Sequence, residues 1–178
     1  MKLFAIVLIM VFIPRSIFSQ EMEWKVFQSE EGAFSILSPG FMESKKAIVE
    51  SEIGETVVHT LYYNQKDTTG NFLYLINFYD LPENSMPADS TDLIMDFLAN
   101  TMDQAVSDID GSIQYNNPIE IGPHKGLMWR SKSEKQVVKS RAYVINNTFY
   151  MLQVFSIPNK SLNGDVDRFL ESFTLKSS

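Results

Sequence analysis

The residue types best suited to chemistry are sparse in this chain. His59 and His124 are its two imidazoles, and it has no cysteine. A metal site needs a fuller ligand set than two separated histidines without a thiol. His59 stands between Val58 and Thr60 in a strand-like run and reads as a surface or half-buried strand residue. His124 falls in Gly122-Pro123-His124-Lys125-Gly126, a turn by composition, where solvent exposure is expected. Asp108-Ile109-Asp110-Gly111 has the acids of a calcium loop but not its spacing. An EF-hand needs Gly at its sixth position and Glu at its twelfth. Here Gly111 is fourth and Ile119 is twelfth, so an acidic helix end stopped by glycine is sufficient. Serines are plentiful, yet no Gly-x-Ser-x-Gly and no Gly-rich phosphate loop occurs. No catalytic residue, metal ligand or cofactor is therefore expected, and the chain reads as non-catalytic. A hydrolase assembled from dispersed residues would require a deep polar cleft with converging acids near His59 or His124.

One constellation is less ordinary. Lys125, Arg130, Lys132, Lys135, Lys139 and Arg141 cluster in an otherwise acidic protein. Taking Lys135-Gln136 as a two-residue turn puts Glu134 opposite Val137. Lys132 then faces Lys139 and Arg130 faces Arg141, all on one side of the sheet. Like charges set opposite each other are destabilising, so something should compensate. Acids from a covering helix would do so, as would splaying into water. The functional reading makes Arg130, Lys132, Lys139 and Arg141 a contact for an anion or a partner, with the two arginines as clamps. Tyr62, Tyr63, Tyr74, Tyr79, Tyr143 and Tyr150 alternate along strands and could line a ligand groove, although cross-strand packing is their commoner use. Asn146-Asn147-Thr148 and Asn159-Lys160-Ser161 would matter as glycosylation acceptors only in a eukaryotic secretory pathway, which is not expected here.

The elements that must position these residues follow from pattern. From Val137 to Ile157, two β-branched and aromatic runs flank Asn146-Asn147, a hairpin signal. The second run is apolar on nearly every residue and is expected to be central and covered on both faces. Trp24–Gln28 and Ala33–Leu37 read as a small hairpin. Lys45–Ile53 is a charged edge strand, Thr56–Tyr63 its stronger partner, and Phe72–Tyr79 a strand apolar on both faces. A helix is expected over Thr91–Val106, capped by Asp89 or Ser90. Its buried stripe would be Leu93, Ile94, Phe97, Leu98, Met102, Ala105 and Val106. Ser112–Tyr115 and Ile119–Ile121 read as short strand pieces interrupted by Pro118, and Leu127–Ser133 as a further strand. Leu162–Ser172 is the last helix, with Val166, Phe169, Leu170 and Phe173 on its apolar side. Strand runs followed by helices imply α+β architecture.

The start of the chain has the form of a secretory signal peptide. Lys2 precedes an apolar run, Leu3–Ile13, broken by Pro14, and Ile17-Phe18-Ser19 sets a small residue before Gln20. The run is too short to span a bilayer, which needs about 20 residues. Cleavage after Ser19 is expected, leaving residues 20–178 as one domain in the periplasm or outside a bacterial cell. A lipid anchor is excluded by the absence of cysteine at the boundary, and the core must hold without disulfides. Loss of Lys2 and Arg15 with the leader takes the formal net charge from −7 to −9. Such a surface does not attract nucleic acid, and stable membrane insertion of the mature chain is not expected.

The order of motifs resembles the PsbP-like family, named after the extrinsic P subunit of photosystem II. Trp24-x-x-Phe27 followed by Glu31-Gly32-x-Phe34-Ser35-Ile36-x-x-Pro39-Gly40 resembles its opening. Tyr74-Leu75-Ile76-Asn77-Phe78-Tyr79-Asp80-x-Pro82 is similar to its third long strand, and Ile121-Gly122-x-x-x-Gly126 to the loop before its late strands. Arg141-Ala142-Tyr143, Tyr150-x-Leu152 and Phe169-Leu170-x-Ser172-Phe173 are similar to its ending. The resemblance spans nearly all of the mature chain and implies an α-β-α sandwich, a central antiparallel sheet flanked by helices. Family members of this shape are mostly non-enzymatic binding or assembly factors: the photosystem subunit, a Ran-binding nuclear-import factor and bacterial envelope proteins. No photosynthetic signature is present. The expected function is an exported, non-enzymatic binding or assembly protein of the cell envelope. The alternative is a carrier of an anionic or lipidic small ligand, with its pocket between sheet and helix.

Overall fold

The computed structural model describes residues 23–51, 54–66, 70–83, 85–86 and 90–176. The signal-like stretch 1–19 and the capping candidate Asp89 lie outside them. In chain order the first strands are β1 (Lys25–Ser29), β2 (Phe34–Ser38), β3 (Glu43–Ser51), β4 (Gly54–Asn64) and β5 (Asn71–Asp80). Helix α1 (Thr91–Ser107) precedes β6 (Ser112–Ile121), β7 (His124–Lys132), β8 (Val137–Ile145) and β9 (Thr148–Ser156). Helix α2 (Gly164–Glu171) and β10 (Thr174–Leu175) follow.

Asn146 and Asn147 both adopt left-handed backbone, at φ 49° and 67°, so the two-residue turn forms as expected and pairs Ile145 with Thr148. The strands it joins sit at the heart of a seven-stranded antiparallel sheet of order β3-β4-β5-β9-β8-β7-β6. β9 is central, hydrogen-bonded to β5 on one side and β8 on the other. Alternate residues of the sheet serve two cores. On one face, Ile94, Leu98, Met102 and Val106 of α1 pack on Leu127, Trp129, Ala142, Val144 and Phe149. On the other, Val166, Phe169 and Leu170 of α2 and Phe173 beyond it meet Tyr143, Tyr150, Leu152 and Val154. A small sheet, β1-β2-β10, completes that second cover and brings in Phe34 and Ile36. Phe34 lies edge-on to Phe78 and Tyr150, and the Tyr150 hydroxyl donates to the Gly32 carbonyl at 3.0 Å. The architecture is α+β, an antiparallel sheet between helices. Burial pushes the Tyr74 phenol up to about 12.

Several local expectations are corrected. Ser112–Ile121 is one strand, not two pieces, because β6 is the sheet edge, where proline is tolerated beside outward-facing N–H groups. The turn at Gly122 is two residues long, with Gly122 at φ 55°. His124 already belongs to β7, opposite Ile121, and is half-buried. In α1 the buried line is Ile94, Leu98, Met102 and Val106, each four residues on from the last. Leu93 falls off that line and is 44% exposed, while Phe97 packs edge-on against Phe149. Ser90 occupies the N-cap position without a side-chain capping bond. Past the helix, Asp110 rather than Gly111 takes the left-handed conformation, at φ 51°.

Leu98 has no solvent exposure. Leu98→Ala should therefore cost about 2–5 kcal/mol through lost burial and a residual cavity. Urea unfolding followed by tryptophan fluorescence measures that loss, and Leu93→Ala, on the exposed side of the same turn, should change stability by under about 1 kcal/mol.

Candidate functional site

The cationic strands β7 and β8 meet in a different register from the one expected. Residues 133–136 form the connection, so Lys132 faces Val137, Arg130 faces Lys139 and Met128 faces Arg141. The shift is two residues, which preserves the face. Arg130, Lys132, Lys139 and Arg141 therefore share the side of the sheet that α2 covers. One like-charged opposition survives, between Arg130 and Lys139.

Each of the three inner cations has a protein partner. Lys139 is ion-paired with Asp167 of α2. Arg141 reaches Glu171 of α2 at 3.0 Å and the Leu170 carbonyl at 3.4 Å. Arg130 donates to Gln114 Oε1 at 2.7 Å and to Ser161 Oγ at 2.8 Å. Lys132 is exposed, with no ion pair among the described residues. A groove of about 340 Å³ opens beside Arg130 and Lys139, edged by Tyr115, Leu162, Asn163 and Asp167. The acids of the covering helix thus supply the compensation that the charge pattern requires, and they tie α2 to the sheet.

A second, larger cleft of about 480 Å³ lies across the molecule, lined in part by Glu31, Glu55, His59, Phe78, Asp80 and Glu83. Three elements build it. The β1–β2 turn supplies Glu31. The end of β5 and the segment after it supply Phe78, Asp80 and Glu83. The third wall comes from how β4 is paired. Its bonding to β5 begins at His59↔Phe78, whereas its bonding to β3 continues to Ser51↔Gly54. Residues 47–51 and 54–58 therefore run on as a two-stranded arm. Ile48 and Val57 face each other across that arm, on the same side as His59, and are 67% and 45% exposed. Two pairs further out, on the same side, exposed Glu50 faces exposed Glu55.

His59 is half-buried, as expected for a strand residue, with its ring stacked on Phe78 at 4.6 Å between centroids. Its Nδ1 lies 3.3 Å from Glu31 Oε2. Glu31 is also ion-paired with Lys46 of β3. The Lys46 hydrogen bond holds the Glu31 carboxyl below the usual glutamate value, and His59 acts in the same direction. The Thr148 hydroxyl donates to Asp80 Oδ1 at 2.7 Å. Glu55 and Glu83 are exposed, with no ion pair among the described residues. No group of three or more His, Asp or Glu side chains among the described residues is placed to hold a metal ion. Sequence reasoning singled out His59 but missed Glu31, Glu55, Asp80 and Glu83 as its neighbours. They come from separate turns and strand ends, and no spacing links them.

No protein-family model matches the chain, and no curated protein does. The solution structure of cyanobacterial PsbP (CyanoP) from Synechocystis sp. PCC 6803 is similar, with a TM-score of 0.57. The alignment covers 86% of this chain and 93% of that one, at 9% identity. The chain has the PsbP-like fold. At that identity the likeness is one of fold, reached with few shared residues. No described helix is long and apolar enough to cross a membrane.

Two outcomes test the electrostatics. Asp167→Asn should lower stability by about 1–2 kcal/mol, because it leaves the mostly buried Lys139 ammonium without its half-exposed carboxylate partner. Asp103→Asn, on the exposed side of α1, should leave the urea midpoint nearly unchanged. For Glu31, a carboxyl titration followed by NMR should give a midpoint below that of an unstructured glutamate, and Lys46→Met should raise it. Because the folded value is depressed, the stability tied to this contact is present above the unfolded glutamate value and is lost as pH falls through the folded one.

Proposed function

We propose that this chain is an exported, non-enzymatic protein of the cell envelope that binds a partner or helps assemble it, using the arm and the cleft beneath it as the contact surface. The observation that carries this reading is the aliphatic pair Ile48–Val57. It lies exposed on the inner side of a two-stranded arm, above an open cleft, and no described part of the chain covers it. Exposed apolar surface beside a concavity is costly in water and marks interaction sites. The leader-like residues 1–19 support export to the periplasm or beyond. The acids around His59 give the cleft that a hydrolase of dispersed residues would need, so the non-catalytic role is supported by the fold resemblance and the missing catalytic motifs and not by this site.

The carrier reading has less support. The space between sheet and helix is filled, with Leu98, Trp129 and Ala142 fully buried. The anion contact foreseen at Arg130, Lys132, Lys139 and Arg141 keeps its groove beside α2. Three of those four cations already have internal partners, so that face serves first to seat the helix.

A photo-crosslinking side chain placed at Val57, in the chain expressed in its own cells, should trap a discrete envelope protein. The same group at Glu134, in the exposed loop between β7 and β8, should not. Adducts no stronger at Val57 than at Glu134 would remove the arm as a contact surface.

A further inference from the structure

We infer that the occupant of the uncovered arm is a cationic segment of another protein, an extended stretch whose same-side residues, every second one along the chain, are by turns aliphatic and lysine or arginine. The inference rests on the reading of the arm as a contact surface and adds the chemistry of what it contacts. Val57 and Ile48 set the apolar half of the requirement. They are opposite one another on one side of the arm, and the period of two along a strand places His59 below them and Glu55 and Glu50 above. An extended partner with an aliphatic residue against Val57 projects its next same-side residue toward one of those neighbouring positions.

Charge selects the rest. Glu50 and Glu55 are opposed directly, a pairing that is destabilising when nothing neutralises it. No ion pair reaches either among the described residues. Asp80 and Glu83 form the opposite wall of the cleft, and neither has a cationic partner among the described residues. The nearby cation, Lys46, is occupied by Glu31. Lys45, on the other side of the arm, lies 5.0 Å over the Tyr62 ring. The cleft is thus left with uncompensated carboxylates around an aliphatic pair, and a partner bearing ammonium or guanidinium groups meets both needs. A second copy of this chain is a poorer occupant, because two arms brought together would set Glu50 and Glu55 against the same acids.

The test uses the mature chain, isotopically labelled, and a short synthetic peptide repeating Val-Ser-Lys-Ser, which when extended sets valine and lysine by turns on one side. A matched peptide with glutamate replacing lysine is the control. The lysine peptide should shift the amide signals of residues 55–59 and 80–83. Its affinity should fall at least several-fold between about 20 mM and about 300 mM salt, since exposed charges are screened over a few ångströms at high ionic strength. Glu55→Gln combined with Glu83→Gln should weaken it about tenfold, while Glu134→Gln should leave it unchanged. All three positions are exposed, so the variants keep the fold.

Equal shifts from both peptides would overturn the cationic assignment and leave the arm a contact surface of another chemistry. Shifts from neither peptide would also overturn it, and the crosslinking result at Val57 would then decide the contact surface separately. Sedimentation as a dimer that dissociates on Val57→Asp would assign the face to a second copy and overturn the inference.

Discussion

The structure depends on a strand with no exposed face. β9 carries Phe149, Tyr150, Leu152, Gln153, Val154 and Ser156 buried, on alternating sides, and both of its edges are hydrogen-bonded. A strand apolar on both faces cannot end at a sheet surface, because each side exposed to water forfeits roughly 25 cal/mol for every Å² of apolar area. Two covers are therefore obligatory. Helix α1 supplies one with a line of aliphatic side chains. The second is composite, made of α2, the chain after it and the β1-β2-β10 sheet, and its aromatic side chains fill the curvature that one short helix cannot. With no cysteine in the chain, this double burial carries the stability without help from a disulfide.

The second cover explains the cations of β7 and β8. A helix as short as α2 does not persist alone in water. Val166, Phe169 and Leu170 hold it from beneath, and Asp167 and Glu171 reach the strand cations at its rim. Arg168 adds a contact on the other flank, its guanidinium 4.6 Å from the Trp24 ring. The basic face and the acids Asp167 and Glu171 of α2 are two halves of one interaction. The partners of that basic cluster are largely inside the molecule, whereas the acids of the His59 cleft are left with an open side.

The same sheet determines where an open side can exist. β4 needs β5 only as far as His59, and the cover from Phe34 and the β1–β2 turn ends nearby. Beyond that point the β3–β4 pair has one neighbouring strand fewer, and no layer of the described residues lies above it. The exposure of Ile48 and Val57 follows from that geometry. The short lateral reach of the small sheet leaves a concavity in the second layer, and the polar ends of strands and turns line it.

Much of the fold was legible in residue order. The Asn146-Asn147 turn, the two-sided run after it, the edge character of Lys45 and Lys46 and the span of α1 are local properties, fixed by turn chemistry and periodicity. The PsbP-like arrangement was legible too, in the order of strand and helix patterns along the chain, and the structure bears it out as a likeness of fold. Local pattern could not set the register between β7 and β8, since a two-residue slip keeps every side chain on its own face and leaves the alternation unchanged. Nor could it separate Leu93 from Ile94, adjacent apolar residues of which only the second points at the sheet. Tertiary structure alone decided the cleft. Glu31, Glu55, Asp80 and Glu83 come from turns and strand ends that chain order keeps apart, and they converge because pairing of long strands carries distant residues to one end of a sheet.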